Sequence, residues 1–418
     1  MVIGNGAREH ALVWKISQSP KVEKIFTAPG NAGTAQISEN LTISPTDLKG
    51  LAKAAKTNRI NLVIVGPEVP LSLGIADYFE RLGIPIFGPS KMAAQLETSK
   101  AFAKELMGKY KLPCAKGRTF FSYPEARKYV QSQQFPIVIK ADGLAGGKGS
   151  IIAESWQEAT RALSDIMEAK IFGSAGDTVI IEEYLKGLEV SLIAFTDGKT
   201  IVPMMPSCDY KRARNRDTGP NTGGMGGYSP PSFFPSQLVE KSVSTILMPT
   251  IKALSNQGIT YKGILYAGLI IANGKLKILE FNARFGDPET QITLPLLRTD
   301  LMDILLAIIQ DDLDHIDIEW HNSASVGVVM TSGGYPQKYK SGLPIEGLDK
   351  VDKDILVFHA GTKSGNNGKT YTSGGRVLTV VGTGDNLAEA RAKVYHNISR
   401  ISFQDHHYRR DIALREIK

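Results

Sequence analysis

The chain has 418 residues, 42% hydrophobic and 22% charged, with 49 Lys and Arg against 42 Asp and Glu for a formal charge of +7. That balance excludes a mainly disordered chain, and the length suggests about two to four folded domains. No apolar run is long enough to span a bilayer, so no membrane partner is expected. The two cysteines, Cys114 and Cys208, form neither a disulfide framework nor a close-spaced metal motif, so a reducing cytoplasm is the expected location. The positive charge suits anionic small molecules as well as nucleic acid.

Met1-Val2-Ile3-Gly4 has no basic run and no long apolar core, so it is not read as a signal peptide. It reads as the end of a strand cut short, and the natural chain is expected to begin a few residues earlier. Gly4-Asn5-Gly6 then opens an apolar-rich helix through Ile16. Further strands are expected over residues 24–28, 62–65 and 84–87, each ending in a Gly-containing turn: Pro29 to Thr34, Gly66-Pro67-Glu68 and Gly88-Pro89-Ser90. This βαβ rhythm predicts a parallel sheet with right-handed crossovers and a ligand at the carboxyl ends of the strands. A dinucleotide-binding dehydrogenase is one rival reading, but Glu9 stands where the third glycine of that fingerprint belongs.

Residues 135–140 read as a buried strand closed by Lys140, residues 141–150 as a glycine-rich hairpin tip, and residues 151–153 as the returning strand. Gly143, Gly146, Gly147 and Lys148 can fold N–H groups and an ammonium over phosphates. This is not a P-loop, because Gly149 follows Lys148 and a strand follows where a helix is needed. A lysine closing an apolar strand wants an anion nearby. A strand over residues 178–185 carries Glu182, Glu183 and Leu185, and Glu189 opens the next, over residues 190–195. Backbone at that crossover can read adenine, and Glu189 a ribose; a solvated acidic edge is an equal reading.

From Asp209 to Tyr228, four basic residues within six positions precede a glycine-dense loop. A nucleic-acid patch is the second rival, but the aromatic interleaving expected for single strands is missing, and a substrate-anion loop is preferred. Strands over residues 264–272 and 275–283 flank Asn273-Gly274, a two-residue hairpin signal. Alternation puts Ile278, Glu280, Asn282 and Arg284 on one face, and Leu279, Phe281 and Ala283 on an apolar, core-facing one. Glu280 and Asn282 supply hard oxygens for magnesium, and Arg284 can clamp a phosphoryl group or a carboxylate. In the last hundred residues, a strand over 326–331 and a helix over 387–401 suggest packing and closure, with no independent chemistry.

Eleven stretches, among them GNGAREHAL, PGNAGT, VGPE, FGPS, SKAFAK, KADGLAGGKG, IEEYL, TGPNTGGMGGYSP, LEFNARFGDPETQ, SGGRVL and YRRDI, run almost end to end. On them the chain resembles the phosphoribosylamine–glycine ligase family (glycinamide ribonucleotide synthetases) of the ATP-grasp superfamily. Two departures are visible: the family usually shows His where Tyr210 stands and Cys where Ala283 stands.

The resemblance implies an α/β protein in three parts. These are an N-terminal doubly wound parallel sheet over 1–98, a central ATP-grasp region over 99–320 with a mobile lid at about 115–188, and a C-terminal α+β closing domain over 321–418. It implies an ATP-dependent ligase that joins glycine to 5-phosphoribosylamine through a glycyl phosphate, in purine biosynthesis. The alternative within the superfamily is another carboxylate–amine ligase. Magnesium or manganese would sit on Glu280 and Asn282. Lys104, Lys140 and the lid around Lys148 would hold ATP phosphates, with Glu182, Glu183 and Leu185 near adenine and Glu189 on ribose. Arg284 and Asp287, with Asn221, Gly223, Gly224 and Met225, would position glycine and the acyl phosphate. Gly6, Asn31, Gly33, Thr34 and Glu68 would receive the phosphoribosylamine, with Asp209 and Lys211 near the acceptor. A monomer without nucleic-acid or membrane partners is expected.

Overall fold

The computed structural model describes residues 1–145, 149–366 and 368–417. The first five strands, β1 (Val2–Gly4), β2 (Phe26–Pro29), β3 (Glu39–Asn40), β4 (Val63–Val65) and β5 (Ile86–Phe87), form one sheet in the order β3-β2-β1-β4-β5. Every pairing in it is parallel, as the alternating rhythm predicts. The order reverses at β1, so the turns after β1 and β4 face a common crevice. Strand β3 escapes a sequence reading because two residues carry no periodicity.

Four strands, β6 (Gly117–Phe120), β7 (Ile137–Ala141), β8 (Ser150–Ala153) and β9 (Val179–Glu183), make an antiparallel sheet in the order β6-β9-β7-β8. Helix Trp156–Met167 packs on it because Ala159, Ala162, Leu163, Ile166 and Met167 fall on one helical stripe. Ser155 caps that helix by accepting from the Glu158 amide. Among the described residues the core of this lobe is separate from the other two apolar clusters.

The next strands in the chain are β10 (Leu188–Thr196), β11 (Ile201–Pro203), β12 (Cys208–Asp209), β13 (Arg212–Arg214), β14 (Thr218–Asn221), β15 (Gly226–Ser229), β16 (Gly263–Ala272) and β17 (Lys275–Asn282). The hairpin expected at Asn273-Gly274 forms, and the sheet runs β11-β10-β16-β17. One expectation is corrected here. Gly268 pairs with Glu280 but Leu269 pairs with Ile278, so Leu279 is an extra residue in a bulge. The bulge reverses the alternation. Ile278 lies in the core with Phe281 and Ala283, and Leu279 is half-exposed on the other side. Glu280, Asn282 and Arg284 still share their face, because the slip occurs before them.

The chain closes with β18 (Ala324–Thr331), β19 (Leu356–His359), β20 (Thr362–Ser364), β21 (Thr370–Thr372) and β22 (Arg376–Gly384). One sheet, β12-β15-β18-β22-β19, joins strands from both sides of residue 320. Every residue of β18 is buried, since helix Leu387–Ile398 covers one face and helix Glu289–Thr293 packs toward the other. The terminal segment is a strap over the β13–β14 hairpin. Fully buried Arg409 donates to Asp217 Oδ1 and the Arg212 carbonyl, and binds Asp411 through Nε and Nη2. Its guanidinium also lies 4.6 Å from the centre of the Tyr210 ring. Among the described residues no helix is long and apolar enough to cross a membrane.

Candidate active site

Helix Ala7–Ile16 opens directly on the turn after β1. Glu9 folds back to accept from the Gly6 amide at 2.6 Å and pairs with Arg8 Nε at 2.6 Å. Its carboxylate lies so close that a Cβ on Gly66 would fall 2.1 Å from Glu9 Oε1. The helix N-terminus therefore already holds a protein anion where a dinucleotide enzyme would place a pyrophosphate. Arg8 Nη1 continues the chain of contacts to the Phe285 carbonyl at 3.2 Å.

Asn31 is a hub for this crevice. Its Oδ1 accepts from the Gly33 and Thr34 amides, and its Nδ2 donates to the Asn5 and His359 carbonyls. Thr34 Oγ1 donates to Asn40 Oδ1. The structure thus brings Gly6, Asn31, Gly33 and Thr34 together, but with the Asn31 and Thr34 side chains bonded inside the protein.

Glu68 begins a helix after β4 and lies 3.4 Å from Arg284 Nε. Glu97, near the end of helix Lys91–Thr98, accepts from the Ala283 amide at 2.7 Å and pairs with Arg284 Nη2 at 2.9 Å. Burial would raise Glu68, but Arg284 and Arg8 hold it below the usual carboxylate range. Burial dominates at Glu97, which is raised despite Arg284. Between its two carboxylates Arg284 is raised, although burial alone would lower it. Arg284 Nη2 also reaches Asn282 Oδ1 at 3.3 Å.

The Glu280 side chain accepts no hydrogen bond and makes no ion pair among the described residues. Burial would raise it, but Lys211, Lys140, Lys100 and Arg284 outweigh that and keep it ionised. Lys140 donates to Glu182 at 2.6 Å and to the Leu279 carbonyl at 2.9 Å, so the β17 bulge turns a carbonyl onto the lysine near the end of β7. Lys104 donates to the other Glu182 oxygen at 2.7 Å and to the Ala115 carbonyl. Its ammonium is thus tied to the base of the β6–β9 lobe. Lys100, which sequence reasoning missed, donates to the Gly143 carbonyl at 2.9 Å and stands in the field of Glu280. Its signal was present in SKAFAK, where Lys100 begins a helix capped by Ser99.

Asp209 and Lys211 flank the same space. Burial pushes Asp209 up to about 7, opposed by Lys211. Lys211, beside Asp209 and 3.0 Å from Glu189, is raised. Glu183 accepts from Lys277 at 2.8 Å and from the Lys116 amide at 2.9 Å. Leu185 lies in the short link from β9 to β10. Gly143 lies at the start of the hairpin tip with φ +121°. Gly146, Gly147 and Lys148 lie outside the described residues.

The loop from Asn221 to Met225 closes the cluster. Gly224 has φ +113°, and a Cβ there would fall 2.5 Å from Pro288 Cδ. Gly224→Ala is therefore expected to displace the loop and to destabilise the protein by roughly 1–3 kcal/mol. Thermal melting of the variant beside the parent checks this. Asp287 accepts from Gln291 Nε2 at 2.7 Å and from Arg376 Nη2 at 2.9 Å. Burial would raise Asp287, but Arg376 and Arg8 hold it below the carboxylate range.

Glu280 and Asn282 fit a hard divalent cation: one ionised carboxylate without a direct partner and one amide oxygen, side by side on a strand. Three lysines around them fit a polyphosphate. Three family profiles match in succession: the N domain of phosphoribosylglycinamide synthetase over residues 1–97, its ATP-grasp (A) domain over 98–290 and its C domain over 325–415. The chain belongs to the phosphoribosylglycinamide synthetase family.

A phosphoribosylamine–glycine ligase of Caldanaerobacter subterraneus is 48% identical over 413 residues, covering 99% of each chain. One from Escherichia coli O157:H7 is 46% identical over 422 residues, covering 100% of this chain and 98% of its own. The crystal structure of the Thermotoga maritima phosphoribosylamine–glycine ligase superposes with a TM-score of 0.87 at 33% identity, over 99% of both chains. The biotin carboxylase domain of a Hydrogenobacter thermophilus 2-oxoglutarate carboxylase shares the fold, with a TM-score of 0.74 at 15% identity over 97% of this chain and 91% of its own.

Both departures from the family pattern face away from the polar cluster. Tyr210 is buried, its hydroxyl accepts from the Ala413 amide at 3.1 Å, and its ring packs against Arg409 and Arg415. Ala283 is in the core. Tyr210 thus packs against the terminal strap.

Proposed function

We propose that the protein joins glycine to 5-phosphoribosylamine at the expense of ATP, forming glycinamide ribonucleotide, ADP and phosphate in purine biosynthesis. A carboxylate is a poor acyl donor because it is anionic and lacks a leaving group. A glycine carboxylate oxygen attacks the γ-phosphorus and ADP leaves, giving glycyl phosphate. The amine of the acceptor attacks the carbonyl carbon, phosphate leaves, and the amine surrenders its proton. No side-chain nucleophile is required, so the residues act by position and charge.

The observation that carries this reading is the convergence of Glu280, Asn282 and Arg284 with Lys100, Lys140 and Lys211 beside the strand ends of the first sheet. Magnesium, or manganese in its place, would be held by Glu280 and Asn282 and would neutralise the β- and γ-phosphates. Lys100 and Lys140, with Gly143, Gly146, Gly147 and Lys148 of the hairpin tip, bind the phosphates. Lys104 supports them by fixing Glu182, which orients Lys140. The backbone from Glu183 to Leu185 meets adenine, and Glu189 the ribose. Arg284, Asp287 and the Asn221–Met225 loop hold glycine and its acyl phosphate. The crevice of Gly6, Asn31, Gly33, Thr34 and Glu68 takes the acceptor, with Asp209 and Lys211 beside it. In this reading the chain divides at 98 and 320, residues 115–188 form the lid, and the enzyme works in the cytoplasm as a monomer.

The test is a coupled ADP assay across carboxylic acids and amines, with mass detection of the product. ADP and glycinamide ribonucleotide should form when glycine and the amine are both supplied. ADP released with another acid, and none with glycine, overturns the assignment.

A further inference from the structure

The SGGRVL stretch has no place in the reaction described above, yet the structure brings its arginine into the polar cluster. Arg376 begins β22, in the last third of the chain. Its Nη1 donates to the Gly223 carbonyl and reaches the Asp287 carbonyl at 3.3 Å, and its Nη2 binds Asp287 Oδ2 at 2.9 Å. The amide of the same Gly223 donates to Tyr335 Oη at 3.1 Å. Both ends of the exposed Gly223 are therefore held by the side chains of Tyr335 and Arg376. Gly375 lets this happen, since a Cβ there would fall 2.3 Å from Tyr335 Cδ2.

We propose that Arg376 is a positioning residue for the ligase reaction: with Tyr335 it fixes the Gly223–Gly224 loop against Asp287, forming one wall of the amino-acid pocket. The inference rests on the functional reading given above. A glycine pair has no side chain to set its conformation, and its freedom is large. Thr222 and Met225 are tied to the Lys211 and Tyr210 carbonyls and the Gly224 amide donates to Thr222 Oγ1, so without the clamp it is Gly223 that would sample more states, and only a fraction would accept the donor. Arg376 suits this work because its planar fork binds a carbonyl and a carboxylate at once, which a lysine cannot copy. Asp287 faces the first sheet as well: a Cβ on Gly6 would lie 3.7 Å from its Oδ2. The clamp thus ties the terminal sheet, the central loop and the N-terminal crevice at one carboxylate.

The closing experiment compares Arg376→Lys, Arg376→Gln and Tyr335→Phe with the parent enzyme. KM for glycine should rise at least about tenfold in both Arg376 variants and less in Tyr335→Phe, with KM for ATP within about twofold. Removing the guanidinium lifts Asp287 toward the ordinary carboxylate range, so the acid limb of kcat/KM for glycine should move to higher pH in Arg376→Gln. Arg376→Lys keeps a charge and should leave that limb nearly in place. Amide hydrogen exchange at Gly223 and Gly224 should quicken in both Arg376 variants. Unchanged glycine KM and unchanged exchange overturn the proposal. So does a uniform loss of stability with equal effects on ATP and glycine, since that marks a purely structural role. If the parent enzyme makes no glycinamide ribonucleotide, the functional reading fails; the exchange measurement still decides whether the clamp exists.

Discussion

Glu280→Gln is expected to lower kcat by at least about 10²–10³-fold while leaving the protein folded. Glutamine keeps the volume and removes only the charge. Glu280 makes no direct ion pair among the described residues, so no buried partner is orphaned by the exchange. What is lost is the anionic oxygen beside Asn282, and with it the attraction for a divalent cation. Binding of ATP to Lys100 and Lys140 should survive or strengthen, because a negative charge has left their neighbourhood. Turnover measured against magnesium concentration, with thermal melts as the fold check, decides the matter. A variant that turns over fully at ordinary magnesium would remove the cation from this strand.

Arg284→Met should be the most destabilising single change in the site, on the order of 3–5 kcal/mol, because it strands two carboxylates in a desolvated place. Glu97 and Glu68 both face Arg284, and the side chain of Glu97 is only 7% exposed. The effect should depend on pH with a definite sign. In the parent protein the two acids oppose each other. Glu68, depressed, adds stability above its unfolded value and loses it as pH falls; Glu97, raised, does the reverse. Without the guanidinium Glu97 rises further and Glu68 loses the largest charge that depresses it, so the stability that remains is largest near and below the unfolded carboxylate range and drains as pH rises through the folded value of Glu97. The variant should therefore melt higher at pH 5.5 than at pH 8, by several degrees on the scale of about 2–4 °C per kcal/mol. Melting points that ignore pH, or a loss under about 1 kcal/mol, would show that Arg284 is not the counter-charge for this pair.

The lysines show how far linear reading reaches. Lys140 is legible because an apolar strand ending in lysine is unusual and local. Lys104 and Lys100 lie in one helix, four residues apart, and nothing in their spacing says which faces the cleft. The fold decides it: Glu182 and the Ala115 carbonyl engage Lys104, while Lys100 meets Gly143 and the field of Glu280. The alternation on β17 illustrates a different limit. Period two places Glu280, Asn282 and Arg284 together, but a bulge is a property of the partner strand as well, so the inversion at Leu279 could not be seen from one strand.

From the sequence alone came the parallel pairing of the first sheet, the hairpin at Asn273-Gly274, the polar strand face and the family likeness. All of these rest on periodicity, turn chemistry or short motifs, which act over a few residues. Tertiary structure alone decided that Glu97 and Glu68 share Arg284, that Glu182 gathers two lysines, and that Arg376 and Tyr335 clamp Gly223 from more than a hundred residues away. Those contacts join residues far apart in the chain. Their energies depend on burial and on the arrangement of charges, and neither exists until the sheets have packed.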